Sequence, residues 1–478
     1  MGVIKFVPNG LHLNHHGSKV SIYTPQEKSA LLVATITSFT GPFVISSVNV
    51  ALPAIQKEFK ADAVQLSWIA TALLLAVAVT LVPAGRIADI HGRKKIFTWG
   101  LAVYTLASLL AAFVGSVEML ILCRVFQGVG SAMFLTTGMA IITSIFPPAK
   151  RGRAIGIYVS AVYIGLSMGP FVGGIMTQNI GWRSLFLIVV PLGLLSILVT
   201  VRYLKGEWAD ARGEPLDIAG CIYYGVAILA WVYGASRLPA KTAWLLIAAG
   251  TLCMAVFVWQ ELRVRYPVVE VRLFTRNKLF TFSSLAAMVH YAATYAITFL
   301  ISLYLQYIKG LSPQAAGMIL VAQPVMMAIF SPLAGKWSDR IEPRKIASFG
   351  MGLTALGLFL FTWIGSGTHL VYITITLLIL GFGFAMFSSP NMNAIMGSVE
   401  KRYLGIASGA VATMRLLGQM ISMAIAMVMF AVVIGHVEIA PANYLEFIRS
   451  INLCFIIFAV MCIVGIFFSL FRGTLRDS

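Results

Sequence analysis

Long apolar stretches broken by short polar loops recur along the whole chain. The runs at 189–200, 244–259 and 451–471 carry no cluster of charges that would turn a face to water. A helix of roughly 20 such residues crosses the hydrocarbon core of a bilayer. Helices suit that setting because each satisfies its own backbone hydrogen bonds in lipid. The pattern predicts spans at 29–54, 67–88, 96–115, 117–145, 152–178, 183–203, 217–236 and 243–260. Six more follow at 281–308, 313–334, 344–364, 369–390, 404–434 and 450–472, making fourteen. Residues 1–28 read as a tail, 29–203 as one six-helix block and 281–478 as a second with a short terminal extension. Residues 204–280 read as an inserted pair of spans with a linker. The expected fold is an all-α membrane protein, with two six-helix bundles related by a pseudo-twofold axis and two helices inserted between them.

Composition sharpens this picture. The chain is 59% hydrophobic and 11% charged, against about 25% charged for a soluble globular chain. The formal charge of +18 does not point to nucleic acid, because the basic residues are spread among short loops. Of the 35 Lys and Arg, 26 fall on one side of the predicted layout, seven on the other, and Arg124 and Arg415 within spans. Clusters at Arg93-Lys94-Lys95, Lys150-Arg151-Arg153 and 263–278 dominate the majority side. Basic loops stay in the cytoplasm, so both termini are expected there, in the plasma or inner membrane. The five cysteines lie inside apolar runs with neither metal nor disulfide spacing, as expected of small buried apolar residues. The tail lacks the apolar core of a signal peptide. Phe6 stands where a myristoylation motif needs Ser or Thr. His12, His15 and His16 fit a solvated tail better than a metal site. No cofactor or metal is implied.

Segments also repeat. Gly85-Arg-Ile-Ala-Asp89-Ile-His-Gly92-Arg93-Lys94-Lys95 follows the second span, and Gly335-Lys-Trp-Ser-Asp339-Arg-Ile-Glu-Pro-Arg344-Lys345 follows the tenth. Each is the second connection of its block, so the halves share an orientation and a substrate site is expected between them. The first loop resembles the Gly-x-x-x-Asp-x-x-Gly-Arg-Lys signature of the major facilitator superfamily. Arg124-x-x-Gln127-Gly128-x-Gly130 resembles its fourth-span pattern. Gly165-x-x-x-Gly169-Pro170-x-x-Gly173-Gly174 is similar to its fifth-span antiporter signature. Val48-Asn49-Val50-Ala51-Leu52-Pro53 and Gly181-Trp182-Arg183 resemble landmarks of its fourteen-span drug:proton antiporter branch. Five matches in order cover nearly all of 29–472.

The resemblance implies a transporter rather than an enzyme, working by alternating access as a monomer. It implies that the loop of Gly85, Asp89, Gly92 and Arg93, with Arg153 and its counterpart Asp339, biases a cytoplasmic gate. Helix-end charge contacts are typically worth about 0.3–1 kcal/mol, enough for a latch. It also implies that the glycine face around Pro170 seals the cavity by close helix approach. One position departs from the branch. An Asp usually stands five residues before Asn49, where this chain has Val44, so proton coupling through that carboxylate is not available.

Two spans carry polar stripes at helical period. Thr35, Ser38, Pro42, Ser46 and Asn49 line the first; Tyr291, Tyr295, Thr298, Ser302 and Gln306 line the ninth, beside His290 and Thr294. Ser408, Arg415, Gln419 and Ser422 share a face of the thirteenth, and Gln323 lies in the tenth. These either bond neighbouring helices or line a cavity. All 17 acids sit in loops or near span ends, leaving Asp89, Glu118, Asp217 or His290 as proton carriers if coupling exists. His290 leads, because its side-chain type titrates at about 6.5. Three functions remain open: export of lipophilic compounds with or without proton coupling, carriage of a lipid-like or anionic metabolite met by Arg124 and Arg415, and an integral-membrane enzyme. Against the enzyme stand the lack of a phosphate loop and of a catalytic His/Asp/Glu cluster.

Overall fold

The computed structural model describes residues 12–13, 19–20 and 24–473, other than Pro239, Glu270, Asp339, 400–403 and His436. Within these, the side chains at 12–13, 19–20, 148–149, 151–153, 159, 236, 273, 276 and 404–408 lie outside the description. A two-residue antiparallel pair, β1 (His12–Leu13) and β2 (Lys19–Val20), precedes the helices. Everything else regular is helical.

The first half comprises α1 (Pro25–Phe59), α2 (Ala63–His91), α3 (Arg93–Ala111), α4 (Val117–Ile145), α5 (Pro148–Asn179) and the broken segment α6 (Ser184–Leu187) with α7 (Val189–Tyr203). The inserted hairpin is α8 (Ile218–Ser236) and α9 (Lys241–Glu261), followed by short α10 (Arg272–Arg276). The second half runs through α11 (Lys278–Thr294) with α12 (Ile297–Tyr307), α13 (Pro313–Leu320) with α14 (Ala322–Ser338), α15 (Pro343–Phe361), α16 (Leu370–Gly397), α17 (Leu404–Val433) and α18 (Tyr444–Phe471). Thirteen described segments are long and apolar enough to cross a membrane. The fourteenth, α3, opens on Arg93-Lys94-Lys95, which dilutes its apolar character. Large apolar side chains such as Leu106, Leu198, Trp244 and Leu252 stand exposed around the bundle. Such a surface is suited to lipid rather than water.

Local chemistry sets the helix ends. Thr24 caps α1 in a reciprocal box with Glu27, with Pro25 at the first helical position. Asp62 and Gln65 do the same for α2. The face where α1 begins and α18 ends is called proximal here, and the opposite face distal.

The halves meet at the distal side. Ser302 Oγ donates to the Asn49 carbonyl (2.9 Å), Gln306 Nε2 to the Val50 carbonyl (2.9 Å), and the Tyr307 hydroxyl to Gln56 Oε1. The Ala63 N–H donates to the Val437 carbonyl, 3.1 Å away. At the same level α5 and α13 touch backbone to backbone. A side-chain carbon on Gly174 would sit 2.5 Å from the Pro313 carbonyl oxygen, and one on Gly317 would meet the Pro170 carbonyl. Only glycine allows that approach. The halves are therefore closed distally.

Gly317→Leu should prise the distal seal open, since overpacking costs about 1–3 kcal/mol. Cysteines placed beside Asn49 and Ser302 should become reactive to a membrane-impermeant reagent added from the distal side. Unchanged reactivity with normal helical content would show that the seal does not depend on this contact.

Candidate functional site

The loop between α2 and α3 is organised by Gly92, whose φ of 114° suits glycine and ends α2 with an N–H bond to the Ala88 carbonyl. Arg93 Nε and Nη2 both reach Asp89 Oδ1, at 2.9 and 2.8 Å. Arg93 also pairs with Asp210 Oδ2 at 2.8 Å and donates through Nη1 to Ser144 Oγ at 3.1 Å. Gly85 faces Thr136 of α4 at ordinary contact distance. The expected partner Arg153 and the counterpart Asp339 lie outside the described side chains.

A feature that sequence reasoning missed is the acidic strap at 204–217. Glu207 Oε1 accepts from the Lys94 N–H (2.7 Å), Glu214 Oε2 from Arg86 (2.6 Å), and the Ala211 N–H donates to the Asp89 carbonyl (3.0 Å). Arg93 N–H donates to the Trp208 carbonyl, and Lys94 Nζ to that of Leu204. The linker to the inserted hairpin is thus stitched onto the gate loop. Glu207, Asp210, Glu214 and Asp217 clustered beside a basic loop were the available signal.

Arg124 is almost fully enclosed at 1% exposure. It donates to the Ile69 carbonyl and to Gln127 Oε1, and Gln127 passes the chain on to Ser108 Oγ. Gly128 lets α4 press on the Leu73 carbonyl of α2. This group knits the first half together, joining α4 to α2 and α3. The α5 glycines pack on α1: a carbon on Gly165 would lie 2.5 Å from the Phe39 carbonyl, one on Gly169 2.6 Å from Ser46 Cβ, and one on Gly173 would meet Ser47.

Several expected cavity residues prove to be interhelical bonds. Ser38 donates to the Tyr158 carbonyl and Ser46 to that of Leu166, both on α5. Asn49 and Gln306 belong to the distal seal, and Gln323 is buried with its carbonyl against Gly381. Such bonding is how polar groups survive in hydrocarbon. His290 is fully buried, its ring 4.0 Å from that of Phe387 and 5.1 Å from that of Phe384. Neither ring nitrogen has a hydrogen-bond partner among the described residues.

Of the remaining expected residues, Arg415 is exposed, and Tyr291, Tyr295 and Gln419 are partly buried. The α11–α12 segment is broken between these tyrosines and α12. The Ala296 N–H donates to Ser422 Oγ of α17 at 3.0 Å. The interruption is slight, since Tyr295 and Ala296 both keep right-handed helical dihedrals. A polar knot at the proximal ends of α11, α16 and α18 was also missed. Arg472 Nη1 donates to Asn391 Oδ1 (2.6 Å) and, more distantly, to Ser283 Oγ, while Asn391 Nδ2 donates to the Ser283 carbonyl. From sequence, Arg472 was indistinguishable from any basic residue closing an apolar run.

With this architecture in view, comparison with known proteins is direct. The profile of the Major Facilitator Superfamily matches residues 34–271 and 283–477. The riboflavin transporter RibZ of Clostridioides difficile (strain 630) is 27% identical over 93% of this chain and 97% of its own. The multidrug resistance protein Stp of Mycobacterium tuberculosis (strain CDC 1551 / Oshkosh) is 30% identical over 79% of this chain and 71% of its own. A crystal structure of the peptide transporter POT in complex with sulfate superposes with a TM-score of 0.68 at 14% identity, covering 91% and 94% of the two chains. It shares the fold. The chain belongs to the Major Facilitator Superfamily and is a multi-pass membrane transporter.

Asp210→Asn combined with Glu214→Gln should loosen the strap without unfolding the bundle. Ion pairs this exposed contribute about 0.2–1 kcal/mol each, so the melting temperature should barely move. Hydrogen exchange across 205–215 should accelerate, most clearly at the Ala211 amide. Unaltered protection there would mean the backbone bonds suffice alone.

Proposed function

We propose that this protein is a secondary transporter that exports small lipophilic compounds by alternating access, with its proximal face in the cytoplasm. The observation that carries the reading is the asymmetry of the bundle. The halves are sealed distally by Ser302, Gln306 and Tyr307, while Tyr291 and the exposed Arg415 lie together on the proximal halves of the α11–α12 segment and α17. The positive-inside bias supports the orientation, and the resistance proteins among its relatives favour export. In this reading the Asp89 loop and its strap form the cytoplasmic latch, and the α5 glycine face seals the extracellular side.

Weak proton coupling is part of the proposal. Val44 is fully buried in the first half, at the position where the resemblance to the drug:proton antiporter branch implies an Asp. His290, the leading alternative from sequence, sits among phenylalanine rings with no hydrogen-bond partner among the described residues. Packing accounts for it better than proton transfer.

Dye efflux from preloaded whole cells tests the latch. Asp89→Asn should insert normally and slow efflux by roughly three- to tenfold, the consequence of shifting a two-state ratio by about 1 kcal/mol. Wild-type efflux in the variant would remove Asp89 from the gate.

Proteoliposome flux under imposed pH gradients tests coupling. Flux should depend little on the gradient, and His290→Phe should leave that dependence unchanged. Steep dependence abolished by His290→Phe would restore His290 as the proton carrier.

A further inference from the structure

Arg415 is a cation in a membrane span without a counter-charge. It lies on α17, about 16 Å along the axis from the start of that helix at 1.5 Å per residue. It is exposed, and it makes no hydrogen bond or ion pair among the described residues. Every acid of the chain lies in a loop or near a span end. The direction of the side chain excludes lipid. Gly418 and Ser422, one turn and two turns on, press against α11: Gly418 on the Met288 carbonyl and Ser422 on the Ala296 N–H. Arg415 shares that side of the helix, whereas the exposed Ile421 and Val432 mark another.

Its surroundings are aromatic. The guanidinium lies 5.9 Å from the centre of the Tyr291 ring, which in turn stands 5.5 Å from Phe384, edge to face. From the other half, Tyr158 and Tyr163 of α5 lie within electrostatic reach of the guanidinium, and Tyr163 also contacts Ser388 of α16. An uncompensated charge inside a membrane protein is costly unless water or a ligand answers it. Arginine also offers a planar fork that binds carboxylates in pairs of hydrogen bonds.

We propose that Arg415 and Tyr291 form a binding site for the carboxylate and ring of an aromatic organic anion. The site takes the anionic head on Arg415 and stacks the ring against Tyr291, with Tyr158 and Tyr163 closing it from the other half. This rests on the export reading and narrows it: among flat apolar compounds, anions are preferred over neutral molecules, and cations are disfavoured.

Three probes with one ring system separate the charge from the ring: 2-naphthoate, naphthalene-2-carboxamide and 2-naphthylmethylammonium. Binding to the full-length protein in phosphatidylcholine nanodiscs should favour naphthoate over the carboxamide by about tenfold, as expected for a hydrogen-bonded ion pair partly open to water. The ammonium should bind weakest. Arg415→Gln should bring naphthoate within about twofold of the carboxamide, with the carboxamide's own affinity unchanged. Arg415→Lys should keep part of the preference, and Tyr291→Ala should weaken naphthoate and carboxamide alike. That unchanged carboxamide affinity is the control that the variant has folded. Equal affinities in the wild type, no binding by any probe, or a preference that survives Arg415→Gln would overturn the proposal. So would competitive loss of naphthoate as phosphatidylglycerol is added, which would make this a lipid-headgroup site. Efflux of neutral dye from vesicles is measured in parallel, so the export reading can stand or fall on its own.

Discussion

Hydrocarbon offers a polar group nothing to bond, so each one carried into the membrane has to be answered by the protein itself or by water admitted between its halves. That constraint organises this chain. Arg124 is answered by the Ile69 carbonyl and Gln127, and Arg472 by Asn391 and Ser283. The freed amide of Ala296 is answered by Ser422, and the hydroxyls of Ser38 and Ser46 by carbonyls of α5. Arg415 differs from these: it is exposed and makes no hydrogen bond or ion pair among the described residues, with the Tyr291 ring 5.9 Å away.

The two faces of the bundle are held by different physics. Distally, glycines let α5 and α13 approach to backbone contact, and hydrogen bonds between α1 and α12 lock the same level. Close packing of this kind has two discrete arrangements rather than a continuum, as a gate requires. Proximally, the contacts are charged and partly exposed, joining the strap at 204–217 to Arg86, Arg93 and Lys94. They hold the inserted hairpin to the first half. At the same time α8 lies against both α2 and α17, with the Tyr224 hydroxyl on the Ala78 carbonyl. The hairpin is therefore placed to follow movement between the halves.

Much of the fold was legible because apolar runs of bilayer length leave few alternatives. The break in the ninth span at Tyr295–Ala296 was not legible. No proline or glycine marks it, and it depends on a serine more than a hundred residues away. The close approaches of Gly165, Gly169, Gly173 and Gly174 could be read from spacing, although Gly174 turned out to face the opposite half. Periodicity placed Ser38, Ser46 and Gln306 on polar stripes. It could not tell a hydroxyl that lines a cavity from one bonded to the neighbouring helix, because both point inward. His290 illustrates the same limit: its type suggested proton chemistry, and its neighbours Phe384 and Phe387, distant in sequence, could not be foreseen.

The central claim is that the halves rock about a distal contact while the proximal ends part and meet. Electron–electron double resonance measures this directly, with spin labels at Ser144 and Gly397 on the proximal side and at Lys57 and Lys309 on the distal side, on a background free of native cysteines. The account predicts two populations at each pair, shifting in opposite directions when a transported compound is added. A single unchanging distance at both pairs, in protein that still transports, would contradict it.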